Sequence, residues 1–206
     1  MNEDWKSQDG KVDWLASERL VEGFFTVDRI TLRHALLSGS LTPPINRFLL
    51  RRPDAVCAVV VNMDRESMYF VRQFRVGAAA KGDPAWMVEL AAGLVDEGET
   101  PDEAVIREIR EELGFEVAEV QQISMIYTSA AIISERIYIY YVEVTNAQQV
   151  TTGGGIPDEH EDLEILEIRL SDIQEFMEST QLTDCKTIIG LDWFRREKGS
   201  PEKRKA

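Results

Sequence analysis

The sequence predicts an α/β protein in which a mixed β-sheet is sandwiched between α-helices (α/β/α), preceded by an N-terminal β-sheet arm. Two apolar, β-branched runs, 55–63 and 68–74, meet at the charged turn Asp64-Arg65-Glu66 and read as paired strands. A stretch that opens on Thr100-Pro101 and closes at Gly114 carries the start and stop signals of one helix. Further strand-like runs at 86–90, 123–127, 136–144 and 163–170 are interleaved with few helices, which suits a mixed sandwich better than a repeating βαβ wheel.

Taken in order, residues 1–16 read as a loose lead-in, and 20–37 as strand, with Phe24, Phe25, Val27, Ile30 and Leu32 and few breakers. The Ser-, Thr-, Gly- and Pro-rich segment 38–46 is a loop. Residues 1–50 thus form a small sheet or arm, 51–196 the main domain and 197–206 a flexible tail. Within the main domain, Gly77 to Pro84 reads as a loop before the strand at 86–90. Near the end, Ser171 with Gln174 forms a capping-box pattern for one helix. A last helix at about 185–196 is expected to bury Ile188, Ile189, Leu191 and Trp193.

Composition narrows the function. The 206 residues include 44% hydrophobic and 29% charged positions, the mix of a globular protein able to build its own core. Cys57 and Cys185 are far apart and lack metal-ligand spacing, which fits free thiols in a reducing compartment. Met1 to Gly10 is polar, without the apolar stretch of a secretory signal, and no apolar run approaches the ~20 residues that span a bilayer. A cytoplasmic protein with no membrane partner is expected. The net charge of −14 argues against a nucleic-acid surface, which needs a positive footprint. It leaves phosphorylated small molecules open, because a bound cation reverses the local field.

The informative stretch runs from Gly93-Leu94-Val95-Asp96-Glu97-Gly98-Glu99 through Arg107-Glu108-Ile109-Arg110-Glu111-Glu112-Leu113-Gly114-Phe115. Thr100 suits the N-cap, Pro101 the first helical position and Glu103 the far corner of a capping box, while Gly114 suits the stop. Val105, Ile109 and Leu113 recur every four residues as the buried stripe. Glu108, Glu111 and Glu112 share a second face, where like charges repel by a few tenths of a kcal/mol, roughly, per pair. A solvated acidic face is one reading of such a helix. A hard divalent cation is the other: Mg²⁺ takes oxygen ligands, keeps waters and bridges to phosphates. Arg107 is placed to pair with a neighbouring carboxylate and hold it in geometry.

The whole pattern resembles the Nudix box: Gly, five residues, Glu, seven residues, then Arg-Glu-aliphatic-any-Glu-Glu-any-Gly-apolar. Gly93, Glu99, Arg107, Glu108, Ile109, Glu111, Glu112 and Gly114 fill each fixed position, with Phe115 last. A chance match to it is on the order of 1 in 100,000 from ordinary residue frequencies. The resemblance implies the Nudix fold and hydrolysis of a pyrophosphate bond with Mg²⁺ or Mn²⁺. It makes Glu108 and Glu112 the principal metal ligands, Glu111 a further ligand or catalytic carboxylate and the Ala92 carbonyl another donor. Arg107 joins the catalytic group, while Gly93, Glu99 and Gly114 are structural, with Glu99 fastening the loop to the helix.

Residues 55–195 resemble, more narrowly, the ADP-ribose and nucleoside-diphosphate-sugar pyrophosphatase branch. Val71-Arg72-Gln73-Phe74-Arg75 matches an element whose arginine, here Arg75, faces substrate, and Glu89-Leu90-Ala91-Ala92-Gly93 matches the lead into the box. The segment from Gly153 to Asp162 matches a late acidic loop, with Glu159 in the place of the catalytic base and Glu161 in that of a metal ligand. Its glycines read as a hinge for a mobile loop. Where that branch usually has Ser-Pro-Gly, this chain has Ser129-Ala130-Ala131, followed by Ser134-Glu135-Arg136; Ser129 and Glu135 are the substrate-binding candidates there. The departure leaves room for GDP-mannose, UDP-glucose or ADP-glucose beside ADP-ribose. The branch also implies a homodimer, its N-terminal sheet crossing to the partner. A different Nudix substrate, such as a dinucleoside polyphosphate or an oxidised nucleotide, and a non-catalytic nucleotide-sugar sensor are the alternatives.

Overall fold

A computed structural model describes residues 12–155, 162–179 and 182–199. The chain divides into two compact units. The first comprises residues 1–53 with 127–135, and the second 54–126 with 136–206.

The first unit holds a three-stranded antiparallel sheet in the order β1-β2-β3, with β1 at Val12–Val21, β2 at Thr26–His34 and β3 at Ile45–Arg51. β1 makes residues 12–16 strand where a loose lead-in is expected, while 1–11 lie outside the described residues, and β3 lies beyond the run that reads as strand. The reason is electrostatic as much as apolar. Asp28 in the middle strand is 1% exposed and accepts hydrogen bonds from Arg19 on β1 and Arg51 on β3. Polar residues that look like loop in sequence are thus strand residues paired across the sheet. Leu50 also exchanges backbone hydrogen bonds with Ile132 and Ser134, which draws the segment 127–135 into this unit.

In the second unit, β4 (Ala55–Asn62) and β5 (Ser67–Phe74) are antiparallel, and β9 (Arg136–Val144) lies parallel to β4. The sheet order is β10-β5-β4-β9-β8, with β10 at Glu164–Arg169 and β8 at Gln121–Tyr127. Two short strands, β6 (Trp86–Glu89) and β7 (Ala91–Leu94), pair with β5 and β4 respectively, so the chain changes partner at Leu90. β4 is buried on both faces, which is why it reads as a continuous apolar run. Val56, Ala58 and Val60 face a core with Val105, Ile109, Leu113 and Phe115. Cys57, Val59 and Val61 face another with Phe70, Leu191 and Phe194. This is the expected sandwich.

Three local expectations fail. Val76–Lys81 is a short helix, α1, not a loop: its alanines favour helix and Gly82, at φ 80°, ends it. The helix α3 (Ile173–Ser179) starts one residue too late for a Ser171 capping box, and the Ser171 hydroxyl donates to Asp172 instead. In α4 (Cys185–Glu197), Leu191 and Phe194 are buried whereas Ile188 faces outward. Of the cysteines, Cys57 is buried and Cys185 exposed, both free thiols. Among the described residues no helix is long and apolar enough to cross a membrane.

Candidate active site

The site is assembled on β7 and the helix that follows. β7 pairs antiparallel with the buried β4, setting Ala92 opposite Cys57 and Gly93 opposite Val56. A tight loop then leads to α2 (Pro101–Glu108), whose N-terminus closes as the sequence predicts. The Thr100 hydroxyl accepts from the Glu103 backbone N–H, and the Glu103 carboxylate accepts from that of Thr100. From Ile109 to Leu113 the helix widens into a π turn, and Gly114, at φ 78°, stops it. The extra residue in that turn is invisible to a four-residue periodicity, and π turns recur at functional sites.

Arg107 organises the carboxylates. Its Nε and Nη2 donate to the two oxygens of Glu99 at 3.1 and 3.0 Å, and Nη2 also reaches the Leu94 carbonyl at 3.0 Å. Its Nη1 donates to Glu108 at 2.6 Å and Glu111 at 3.1 Å. These bonds use every face of the guanidinium fork. The hydrogen bond from Arg107 holds the Glu99 carboxyl below the usual range, helped by the Asp96 N–H. Reciprocally, Glu99 first and then Glu108 and Glu111 push the Arg107 pKa up. Glu99 in the loop and Arg107 on the helix are thus joined by two hydrogen bonds.

Glu112 is 2% exposed, and its Oε2 accepts the Ala92 N–H at 2.9 Å. Glu108 lies over Gly93: a Cβ at that glycine would stand 1.9 Å from Glu108 Oε1. Two carboxylates from one helix therefore converge on the Ala92–Gly93 peptide, in a cradle that only glycine leaves open. Hard oxygen donors in this setting fit a divalent cation. Among the described residues no three His, Cys, Asp or Glu side chains are arranged to hold a metal alone. Glu108 and Glu112 would accordingly share the ion with waters and substrate phosphate, which is how Mg²⁺ is usually held.

The glycines at 153–155 serve the same helix. The N–H groups of Gly154 and Gly155 donate to the Glu112 and Glu111 carbonyls at 2.9 and 3.2 Å, satisfying acceptors that the helix end leaves open. Gly153 packs so closely that a Cβ would lie 2.3 Å from the Glu112 carbonyl oxygen. These residues dock against the helix, a correction to their reading as a free hinge. Gly114 is equally constrained, since a Cβ there would meet the Thr151 oxygen at 2.2 Å in a left-handed conformation. Gly114→Ala is expected to destabilise the protein by about 3 kcal/mol, combining left-handed strain with overpacking. A fall of roughly 6–12 °C in the melting temperature would record it; an unchanged melting temperature would show the segment 151–153 moving aside at no cost.

The remaining candidates are distributed. Arg75 makes a bidentate pair with the buried Glu89, both bonds 2.7 Å. Ser129 and Glu135 belong to the first unit. The Ser129 carbonyl accepts from Ile132 and Ile133, and Glu135 pairs with Arg52 at 3.3 Å. Glu159 and Glu161 lie outside the described residues, as do His160 and positions 200–206 of the expected tail. Sequence reasoning gives no role to Glu89, the partner of Arg75, nor to Lys186, Asp184 and Thr187, which hydrogen bonds link to it in turn. The one signal is an acid, Glu89, in an otherwise apolar run.

Residues 51–184 match the NUDIX domain, about two thirds of the chain. The chain belongs to this family, and it is a hydrolase acting on phosphorus-containing anhydrides. It is 30% identical over 187 residues to an ADP-ribose pyrophosphatase of Haemophilus influenzae, covering 89% of this chain and 86% of the relative. It is 28% identical over 186 residues to a GDP-mannose pyrophosphatase of an Enterobacter species, covering 90% and 95% of the two chains. A solved structure described as an ADP compounds hydrolase superposes with a TM-score of 0.68 at 21% identity, covering 92% of this chain and 97% of that one; it shares the fold.

Proposed function

We propose that this protein hydrolyses the pyrophosphate bond of a nucleoside diphosphate sugar, of the ADP-ribose, GDP-mannose, UDP-glucose or ADP-glucose class, with Mg²⁺ or Mn²⁺. The products are a nucleoside monophosphate and a sugar phosphate. The observation that carries this reading is the convergence of Glu108 and Glu112 on Ala92–Gly93 under the grip of Arg107. The relatives' names, ADP-ribose and GDP-mannose pyrophosphatase, bracket the substrate class.

When bound, the divalent ion neutralises the diphosphate and makes an attacking water more acidic. The chain's residues do the rest. Glu108 and Glu112 would hold the ion, with the Ala92 carbonyl as a further donor. Arg107 keeps Glu108 and Glu111 from splaying apart under mutual repulsion. By their places in the late acidic segment, Glu159 would take the proton of the attacking water and Glu161 would offer the ion a further carboxylate. Arg75 meets a substrate phosphate.

A homodimer accompanies this reading. Leu15, Leu20, Val21, Phe24, Phe25 and Phe48 of the first unit are exposed large apolar groups, Phe24 at 75%. A second copy of the chain would cover them. The charge of −14 fits a small-molecule substrate better than a nucleic-acid partner, and the setting we assign is cytoplasmic.

A panel of nucleotide sugars, ADP-ribose and dinucleoside polyphosphates, scored by phosphate release after phosphatase coupling, tests the proposal. Release from one or more nucleoside diphosphate sugars is expected with Mg²⁺ or Mn²⁺, and none after chelation. Release from dinucleoside polyphosphates alone would shift the substrate class. Calorimetric binding of a sugar nucleotide without any product would mark a sensor.

A further inference from the structure

Behind Arg75 lies a closed ring of buried polar groups. Glu89, 2% exposed at its side chain, accepts two hydrogen bonds from Arg75 and a third, on Oε2, from the Lys186 ammonium. Lys186, 10% exposed, also donates to Asp184 Oδ1 at 3.0 Å. The other Asp184 oxygen accepts from the Thr187 N–H at 2.9 Å and from its hydroxyl at 2.7 Å, capping α4. The Thr187 hydroxyl oxygen in turn accepts the Leu90 backbone N–H at 2.9 Å, one residue from Glu89, and the ring is complete. Side chain and backbone at the β6–β7 junction are thus both held by the first turn of α4.

This arrangement does more than satisfy a buried acid. Lys186 gives the Glu89 carboxylate a second cationic partner and Asp184 balances the charge it adds, so the four groups sum to zero and act on Arg75 by fixing its geometry. Burial raises the carboxyl pKa of Glu89, but the bonds from Arg75 and Lys186 more than offset it and keep Glu89 ionised. Burial likewise opposes the charge on Lys186, and Glu89 and Asp184 outweigh it. Arg75 spends Nε and Nη2 on Glu89, while its Nη1 makes no hydrogen bond to the described residues. Glu89, which holds Arg75, stands three residues before Ala92, whose N–H is bound by Glu112, so both contacts sit on the β6–β7 segment.

We infer that Lys186, anchored by Asp184, is a positioning residue for substrate capture: through Glu89 it fixes the Arg75 guanidinium so that Nη1 meets a phosphate of the diphosphate. This rests on the hydrolase reading above. With Nε and Nη2 held by Glu89, Nη1 is offered to the phosphate in one orientation, and loosening that hold weakens capture before it touches the chemistry.

The test is steady-state kinetics on the full chain with its best nucleotide sugar and Mg²⁺, comparing wild type, K186M, K186R, D184N, R75A, R75A/K186M and R75A/D184N, with melting temperatures alongside. K186M is expected to raise KM roughly tenfold with kcat within about threefold, the pattern of lost binding common to ground and transition states. K186R restores most of the loss. D184N, which keeps an oxygen for the Thr187 cap, raises KM by about threefold and serves should K186M fail to fold. In the R75A background neither change has a further effect, because the group through which they act is gone. Losses that multiply in R75A/K186M or R75A/D184N, or an unchanged KM in K186M, would overturn the inference. A wild type inactive on every nucleotide sugar would remove the function and this inference together; an active wild type with multiplying losses removes this inference alone.

Discussion

Glu112→Gln is expected to lower kcat by roughly 1,000-fold, beyond the 10–100-fold typical of groups that merely support a metal ligand, while the protein keeps its fold. The two halves of the expectation have separate causes. The amide oxygen of glutamine can still accept the Ala92 N–H, so the contact that ties the helix to β7 survives. The negative charge does not, and a neutral amide oxygen is a poor substitute for carboxylate toward a hard cation. Far-ultraviolet circular dichroism and melting should match wild type, whereas turnover falls and excess Mn²⁺ recovers only part of it. Full turnover in this variant would remove Glu112 from the metal site.

Gly93→Ala is expected to reduce kcat/KM by about 100-fold, comparable to the stronger second-sphere effects on metal sites, with little loss of stability. The added methyl would sit 1.9 Å from Glu108 Oε1 and 2.1 Å from its Cδ. Those atoms are the far end of a flexible side chain, so Glu108 can swing away at a cost of about 1 kcal/mol in rotamer strain. The fold tolerates that movement and the cation does not, because Glu108 leaves the cradle and its 2.6 Å bond to Arg107. Gly93→Ala and Gly114→Ala thus separate two uses of glycine in one motif. The first protects a ligand and is read in activity. The second avoids backbone overlap and left-handed strain, and is read in melting temperature. Metal titration checks the first: an unchanged Mn²⁺ requirement together with near-normal kcat/KM would mean that Glu108 is not a ligand.

Legibility varied along the chain for physical reasons. The box helix was readable at both ends because caps are local chemistry: Thr100, Pro101, Glu103 and Gly114 act within one turn of their own positions. The buried strands β4 and β9 were readable because burial on both faces demands an apolar run. β1 was not, because most of its residues are exposed and its place depends on pairing with β2. Helix α1 was lost to the punctuation of Gly77 and Pro84, although Ala78 to Ala80 lie between them. The π turn left no trace in a four-residue pattern.

The sequence by itself determined the family and the start and stop of the box helix, since both rest on residues within some twenty neighbouring positions, whereas the reason Gly93 must be glycine lies in a contact with Glu108 fifteen residues on. Only the tertiary structure decided what surrounds Arg75. Glu89 and Lys186 lie 97 positions apart, and nothing local to either names the other. They are partners because burial at the β6–β7 junction strips both of water, and a charge without water must find its counter-charge wherever the fold has brought one.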